Sequence, residues 1–487
     1  MRRLNGVDAY LWYNETPTNH MHTLKIAVLD PARSTTPFTI AGFVRGLHAR
    51  MHLLPSFRWR LVETPFGLHH PVWVEDPDFD ITLHVRHGSL PAPGGRREMD
   101  DAIARIGSTP LRRDRPLWEL HLLEGLEHGR VLAVTKIHHA MADGQAASNQ
   151  LLNVMDLDPG RAPAPVPWDP PALPSAPALL LAALSDHPGQ LRRLPDLVRR
   201  SRRGDRAARR FWRTEASRPT RPWSGRHTFL NTPIDADRTV ATASLPLAEV
   251  MPLRQAGSFT LNDVVLELLT GALREVLAGR GELPDVPLVA NIPAATGALA
   301  DRLHGNSVSL LFASLPVQLP DAAERLKTIH DATRAARRAN ELAGRELLDQ
   351  WLAYVPPKPF AWLSRWYARS ALVRRRPPMM NLVASNVRGP AEEVAVAGVP
   401  IVDLYSVGPL NINMALNVTV WSYAGKLNFT VLSCPRQLPD AHVITDAIVA
   451  AHARLAIELG VTAVSGGSGG GGSGGSGGWR GAGGSGG

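Results

Sequence analysis

The stretch of this chain best able to do chemistry is His138-His139-Ala140-Met141-Ala142-Asp143-Gly144. Two adjacent histidines are followed, after three residues, by Asp-Gly. Histidine is the side chain whose ordinary pKa lets it take up and release a proton near neutral pH. Asp-Gly is turn chemistry and can fix a loop around such a residue. In a chain of this composition the pattern arises by chance in roughly a few sequences per thousand.

The flanking elements must position these groups. The run Val131-Leu-Ala-Val-Thr-Lys-Ile137 is apolar and β-branched and predicts a buried strand. Gln145 to Met155 carries a helical pattern, with Leu151, Leu152 and Met155 on one side. The motif therefore sits where a strand ends and a helix begins. Neighbouring residues at a strand end face opposite sides, so only one of the two histidines faces a given cavity. His139 is read as the chemical residue, Asp143 as the residue that holds the loop, and His138 as a neighbour that acts through packing. These three form the candidate catalytic group, and Gly144 completes the motif.

The motif alone leaves three readings open: a general base, a metal ligand or a structural pair. A zinc site would need two or three more converging ligands, and the single Cys434 supplies no thiolate cluster. No metal site is expected. His69-His70 is an internal control, because Pro-Val-Trp-Val and not Asp-Gly follows it. It is read as structural.

The motif resembles that of coenzyme-A-dependent acyltransferases such as chloramphenicol acetyltransferase, peptide-synthetase condensation domains and plant acyltransferases. The rest of the chain is similar to the bacterial wax ester synthase/diacylglycerol acyltransferases. The segments that carry this resemblance are Leu4-Asn-Gly-Val-Asp-Ala9, Pro55-Ser-Phe-Arg-Trp-Arg-Leu61, Pro71 to Asp80 and His84-Val-Arg86. Pro116-Leu117-Trp118 lies before the histidines, and Asn262-Asp263, Gly305-Asn306 and Ser385-Asn386-Val-Arg-Gly-Pro390 follow in the family's order. The likeness runs from about Leu4 to Gly460. The opening departs from the Leu-Ser-Pro-type segment of many members, which bears on substrate preference rather than on family.

The resemblance implies an α+β fold of two chloramphenicol-acetyltransferase-like halves, with the active site in a tunnel between them. It implies acyl-CoA as co-substrate, no resident cofactor, and transfer of a long acyl chain to diacylglycerol or a long-chain alcohol, giving triacylglycerol or wax ester. Diacylglycerol is favoured, because the opening looks like that of triacylglycerol-forming actinobacterial members. In this scheme His139 takes the hydroxyl proton while the alcohol oxygen attacks the thioester. No acyl-enzyme is needed, in keeping with the absence of a GxSxG elbow outside the Gly/Ser tail. Pro116, Leu117, Trp118 and Gly144 are expected to be structural parts of the motif. Asn262, Asp263, Ser385 and Asn386 are expected to reach the site from the second half. The alternatives are transfer from a carrier-bound acyl chain or to a polyketide alcohol, and a non-catalytic lipid-binding protein of the same fold.

Composition agrees. The chain has 487 residues, 44% of them apolar, enough for two cores. One cysteine excludes a disulfide scaffold and fits a reducing compartment. No signal peptide is visible, and no apolar run approaches the ~20 residues that span a bilayer. A soluble or peripheral cytoplasmic protein is expected, at the inner membrane face or on lipid droplets. The net charge of +9 is carried mostly by arginine. Arginine usage can reflect a G+C-rich genome, but Leu191 to Arg226 concentrates it, with Leu194, Leu197, Phe211, Trp212 and Trp223 interleaved. An anionic lipid surface and a solvated helix compete as explanations. No nucleic-acid module accompanies the arginines, so nucleic acid is not expected. Phe360 to Arg376 has the composition of an interfacial helix, through Trp362, Trp366, Tyr367 and its arginines; the alternative is aromatic packing into the core.

The expected organisation is a first α+β unit over 1–158, a Pro-rich then Arg-rich segment over 159–226, a second α+β unit over 227–464, and an engineered Gly/Ser tail over 465–487. Helices are expected near Leu261 to Leu277 and Ala322 to Leu352. Strands are expected near Val308 to Leu315, Met414 to Trp421 and Lys426 to Leu432.

Overall fold

Apolar strands that alternate with amphipathic helices close into two six-stranded mixed sheets. The computed structural model describes residues 1–34, 36–155, 169–215, 220–295, 303–370 and 372–461. A small sheet, ordered β1-β4-β3, combines β1 (Arg2–Arg3), β3 (Trp59–Val62) and β4 (Val72–Glu75). The first large sheet holds β2 (His22–Leu29), β5 (Val85–Ser89), β6 (Trp118–Leu126), β7 (Arg130–His138), β12 (Ala395–Val396) and β13 (Val399–Val407). Its order is β12-β13-β2-β7-β6-β5. The second holds β8 (Thr239–Pro246), β9 (Leu288–Ala295), β10 (Val308–Leu315), β11 (Leu382–Arg388), β14 (Asn417–Tyr423) and β15 (Lys426–Ser433), in the order β10-β9-β11-β14-β15-β8. This is the α+β architecture expected.

The helices start at side-chain caps. Asn5 caps α1 (Gly6–Tyr13), Thr39 caps α2 (Ile40–Ala49) and Asp143 caps α4 (Gly144–Val154). Helix α3 (Arg96–Gly107) uses Glu98 on the Gly95 backbone. Ser175 caps α5 (Ala176–Thr214). After α6 (Leu247–Gln255), Thr260 and Asp263 form a reciprocal capping box for α7 (Leu261–Gly279). Asp321 caps α8 (Ala322–Ala343). Gly344, at φ 101°, ends α8, so the expected single helix through Leu352 is two, the second being α9 (Leu347–Leu352). Then come α10 (Pro357–Arg369), α11 (Leu372–Arg375) and α12 (His442–Glu458). Leu266, Leu269 and Leu273 of α7 and Ile444, Ile448 and Leu455 of α12 bury against the second sheet, in one core with Phe429 and Val431.

Strand β13 changes the expected division of the chain. It pairs antiparallel with β2, Ser406 opposite Lys25, and so completes the first sheet from the second half. A cut at 226/227 does not separate the sheets. Trp421 and Tyr423 accordingly share a core with Trp12, Phe57 and Trp118. The physical cause is that β2 exposes a free ladder edge, which the largely apolar, mostly buried strand Val399–Val407 pairs.

Of the Pro-rich stretch, 159–168 lies outside the described residues, as does the Gly/Ser tail. Ala176 and Pro177, in the Pro-rich part of the 159–226 segment, open α5, where Pro177 stands in the first turn and costs no hydrogen bond. The arginine segment is largely this helix. Leu197 and Gly204 are buried, and a Cβ at Gly204 would lie 2.0 Å from the Ala343 carbonyl oxygen, so only glycine lets α5 approach α8 so closely. Arg199 and Arg200 pair with Asp196, and Arg209 with Asp205, along the exposed side. In α10, Phe360 packs on Tyr10 and Tyr13, while Trp362 and Trp366 stack on each other and remain exposed. Among the described residues no helix is long and apolar enough to cross a membrane.

Candidate active site

Strand β7 ends at His138, and residues 139–141 make one tight turn before Asp143 starts α4. The two histidines part there. His138 is 1% exposed; its Nδ1 accepts the Ala140 N–H at 3.1 Å and its ring edge meets Trp12. Accepting at Nδ1 places the proton of the neutral ring on Nε2, which lies 3.4 Å from the Glu15 carboxylate. Glu15 is in turn paired with Arg113 at 2.6 Å. His139 turns the other way and is half-buried on the wall of a cavity of about 330 Å³, together with Asp143 and Gly144. Its Nδ1 makes no hydrogen bond to another described residue. Burial, helped by the charge of Lys25 and opposed by the residue's own carbonyl, pulls its pKa down to about 4. The ring is therefore neutral at neutral pH and able to accept a proton.

Asp143 uses both carboxylate oxygens on backbone donors. Oδ1 accepts the Ala146 N–H at 2.9 Å, and Oδ2 accepts the Ser307 N–H at 2.9 Å. The second of these ties the motif to the other half of the chain. Around it, the Met141 carbonyl accepts from the Gly305 amide, and the Gly305 carbonyl accepts from the Asp143 amide. Asn306 Nδ2 donates to the His139 carbonyl at 2.8 Å and to Asp8 Oδ1 at 2.7 Å, and the Asn306 amide donates to the same oxygen. Burial raises the Asp8 pKa, and the donors of Asn306 oppose that rise. The histidine turn is thus pinned from α1 on one side and from 305–307 on the other.

The second half also supplies cavity wall. Val383, Ser385 and Val387 line it at the period of two expected of strand β11. Asn386, between them, belongs to the opposite face and is not part of the lining. Asn417, Thr419 and Ser406 add polar groups.

Asn262 and Asp263 are a correction. Neither lines the His139 cavity. Asp263 is fully buried as the capping-box partner of Thr260 and also accepts from Thr333 Oγ1 at 2.7 Å and pairs with His330 Nδ1 at 2.9 Å. The pair marks a helix start, and a carboxylate with these partners has its lone pairs committed. Pro116-Leu117-Trp118 supports the motif from the side. The Leu117 carbonyl accepts the His138 N–H, and Trp118 stacks on His84 at 4.4 Å while its Nε1 donates to the Phe57 carbonyl. His69-His70 is a packed pair: His70 Nδ1 meets the Tyr13 hydroxyl and His69 stacks on His187. Among the described residues no three His, Cys, Asp or Glu side chains are grouped as a metal would need.

Sequence reasoning missed Lys25, Asp8 and the role of Asn306. Lys25 lies on the cavity wall beside Thr23 and donates to Ser406 Oγ at 2.8 Å across the β2–β13 ladder. Its signal was a lone charge within the apolar strand His22–Leu29. Two further cavities adjoin. One is apolar, walled by Phe43, Met51, Phe57, Trp118 and Trp421, and it shares Lys25 with the His139 cavity. The other, about 370 Å³, shares Tyr10, Met379, Met380 and Asn411 with it and continues to Leu363, Trp366 and Trp223.

With this geometry in place, the likenesses to known proteins can be read. The wax ester synthase/diacylglycerol acyltransferase catalytic domain matches residues 4–265, and the C-terminal domain of the same family matches 304–455. A protein of Mycobacterium tuberculosis (strain ATCC 25618 / H37Rv), provisionally named a diacylglycerol O-acyltransferase, is 38% identical over 453 residues, 92% of this chain and 95% of that one. A second protein of that strain, named in the same way, is 37% identical over 437 residues, 89% of this chain and 92% of its own. The solved wax ester synthase/diacylglycerol acyltransferase of Marinobacter aquaeolei VT8 superposes with a TM-score of 0.65 at 25% identity, over 94% of this chain and all of that one. The first condensation domain of the calcium-dependent antibiotic synthetase shares the fold at a TM-score of 0.59 and 18% identity, over 95% of this chain and 98% of that one. Both halves of the chain and its fold therefore agree, and the protein is an acyltransferase belonging to the wax ester synthase/diacylglycerol acyltransferase family.

Proposed function

We propose that this acyltransferase moves a long acyl chain from acyl-CoA to diacylglycerol, with long-chain alcohols as secondary acceptors, and that His139 is the general base. One observation carries the reading. The His139 imidazole is neutral and faces a cavity walled from both halves, while His138 and Asp143 are committed to packing and to backbone donors.

The step follows from those atoms. The acceptor hydroxyl gives its proton to His139 as its oxygen attacks the thioester carbonyl carbon. The tetrahedral intermediate collapses, the C–S bond breaks, and the CoA thiolate leaves and takes the proton from the imidazolium. His139 is then neutral again. Asp143 and Asn306 hold the turn and are positioning residues. Ser385 contributes polar wall. The shared lining of the three cavities supports a tunnel: the acyl tail in the apolar cavity, the reacting ends beside His139, and an opening under α10. Exposed Trp362, Leu363 and Trp366, with Lys358, Arg365 and Arg369 around them, support contact of α10 with a membrane or lipid-droplet surface, where diacylglycerol resides.

The test is release of CoA thiol from palmitoyl-CoA, with and without diacylglycerol or hexadecanol. Release that depends on the alcohol and is highest with diacylglycerol is expected. Tight lipid binding without release would overturn the enzyme mechanism, and release with hexadecanol alone would overturn the acceptor.

A further inference from the structure

The proposed step creates a negative charge on the thioester oxygen, and neither histidine nor Asp143 can neutralise it. A transition state of this kind needs a donor aimed at that oxygen. Among the described residues, Lys25 is the lysine or arginine on the cavity wall. It lines both the His139 cavity and the apolar one. An acyl-CoA placed as proposed, with its tail in the apolar cavity and its carbonyl carbon beside His139, carries its thioester past Lys25, the residue common to both walls.

The surroundings of Lys25 fit such a task. Among the described residues its hydrogen-bond partner is the neutral Ser406 hydroxyl, and no carboxylate lies within ion-pairing distance. The Trp421 ring lies 5.3 Å from Nζ. An ammonium has three donors, so two are left over for a ligand. A charge kept half-buried without a counter-ion costs stability and marks a functional group more often than a structural one. Burial draws its pKa down to about 8, and the more distant Asp143 carboxylate opposes this.

We propose that Lys25 is a catalytic residue, donating an N–H of its ammonium to the thioester carbonyl oxygen and holding the oxyanion of the tetrahedral intermediate. Lys25 stays protonated throughout. The electron pair of the C=O bond moves to the oxygen on attack and returns on collapse, while the transferred proton travels by way of His139. Ser406 orients the ammonium.

The inference rests on the reading of His139 as base, and the experiment separates the two. Lys25→Met keeps the length and apolar stem and removes the donor. Lys25→Arg keeps a charge. Each is assayed in the full chain beside His139→Ala, for kcat and KM with palmitoyl-CoA and for inhibition by the S-hexadecyl-CoA thioether, which has no carbonyl. Removing one oxyanion donor costs on the order of 10²–10³ in kcat. Lys25→Met should lose about that much kcat, keep KM and the thioether inhibition constant within about threefold, and recover in part as Lys25→Arg. An unchanged kcat in Lys25→Met, with His139→Ala inactive, overturns Lys25 alone. Full activity in His139→Ala overturns the base and the inference together. Loss of thioether binding in Lys25→Met would mean that the ammonium only shapes the site, and this too overturns the proposal.

Discussion

An imidazole with a lowered pKa is a base that is always ready but individually weak, and this sets the expected behaviour of position 139. General-base catalysis is worth roughly 10²–10⁴ in rate. His139→Ala should lose at least about 10² in kcat while its melting temperature stays near the parent's. His138→Ala should lose less activity and more stability, because it empties the space between Trp12 and Glu15. Kinetics and thermal melts on both variants check the pair, and the reverse pattern would exchange their roles. The pH profile follows from the same burial. The base must be neutral, and its pKa in the folded enzyme is lowered from the ordinary histidine value to about 4. Neutral imidazole therefore persists below that ordinary value. The profile of kcat/KM, which reports the free enzyme, should stay level as pH falls from about 7 to about 5 and decline only nearer 4. A decline centred near 6.5 would show an exposed, ordinary histidine.

Two elements meet the motif loop, and they should fail differently. Residues 305–307 hold the turn by backbone pairing and through Asn306. Asn306→Ala removes donors from the His139 carbonyl and from buried Asp8, at about 1–3 kcal/mol of stability. It should also lower kcat by roughly 10-fold to 10²-fold through a misplaced ring. The start of α7 is the contrast. Asp263→Ala breaks the capping box and the pairing with His330, so it should lower the melting temperature through a loss of about 1–3 kcal/mol, yet leave kcat near normal at a temperature where the variant is folded. A large kcat loss in folded Asp263→Ala would bring α7 back into the chemistry.

At the scale of the molecule, the question is how the proposed lipid acceptor reaches a half-buried imidazole. The cavity below α10 shares Tyr10, Met379 and Met380 with the wall of the His139 cavity, and the proposed route runs past them. A Trp362→Ser/Trp366→Ser double variant should bind both neutral and anionic vesicles several-fold more weakly and raise KM for vesicle-borne diacylglycerol, with turnover of a short soluble alcohol kept. Replacing Arg199, Arg200, Arg202 and Arg203 with glutamine should weaken binding to anionic vesicles only, an effect that salt removes. The loss should be partial, because Arg199 and Arg200 already pair with Asp196 on a helix docked against α8. Co-sedimentation with vesicles of each composition measures both. Unchanged binding of the tryptophan variant would take α10 out of the lipid route.

The sequence by itself determined what depends on neighbours along the chain. The strand before the histidines, the helix after Asp143, the capped start of α7 and strand β10 all lie where periodicity and cap residues put them. Opposed facing of His138 and His139 follows from strand geometry and was legible in the same way. Family membership was legible because many short segments recur in one order. Tertiary structure decided what depends on pairing across hundreds of residues. Strand β13 completes the first sheet because β2 has an edge to satisfy, and no local pattern says which distant run will do so. The same pairing sets Ser406 opposite Lys25, which turns a lone lysine in an apolar strand into a cavity residue. Asn262-Asp263 misled for the converse reason: a helix cap and a site residue use the same side chains, and only the partners Thr260, Thr333 and His330 tell them apart.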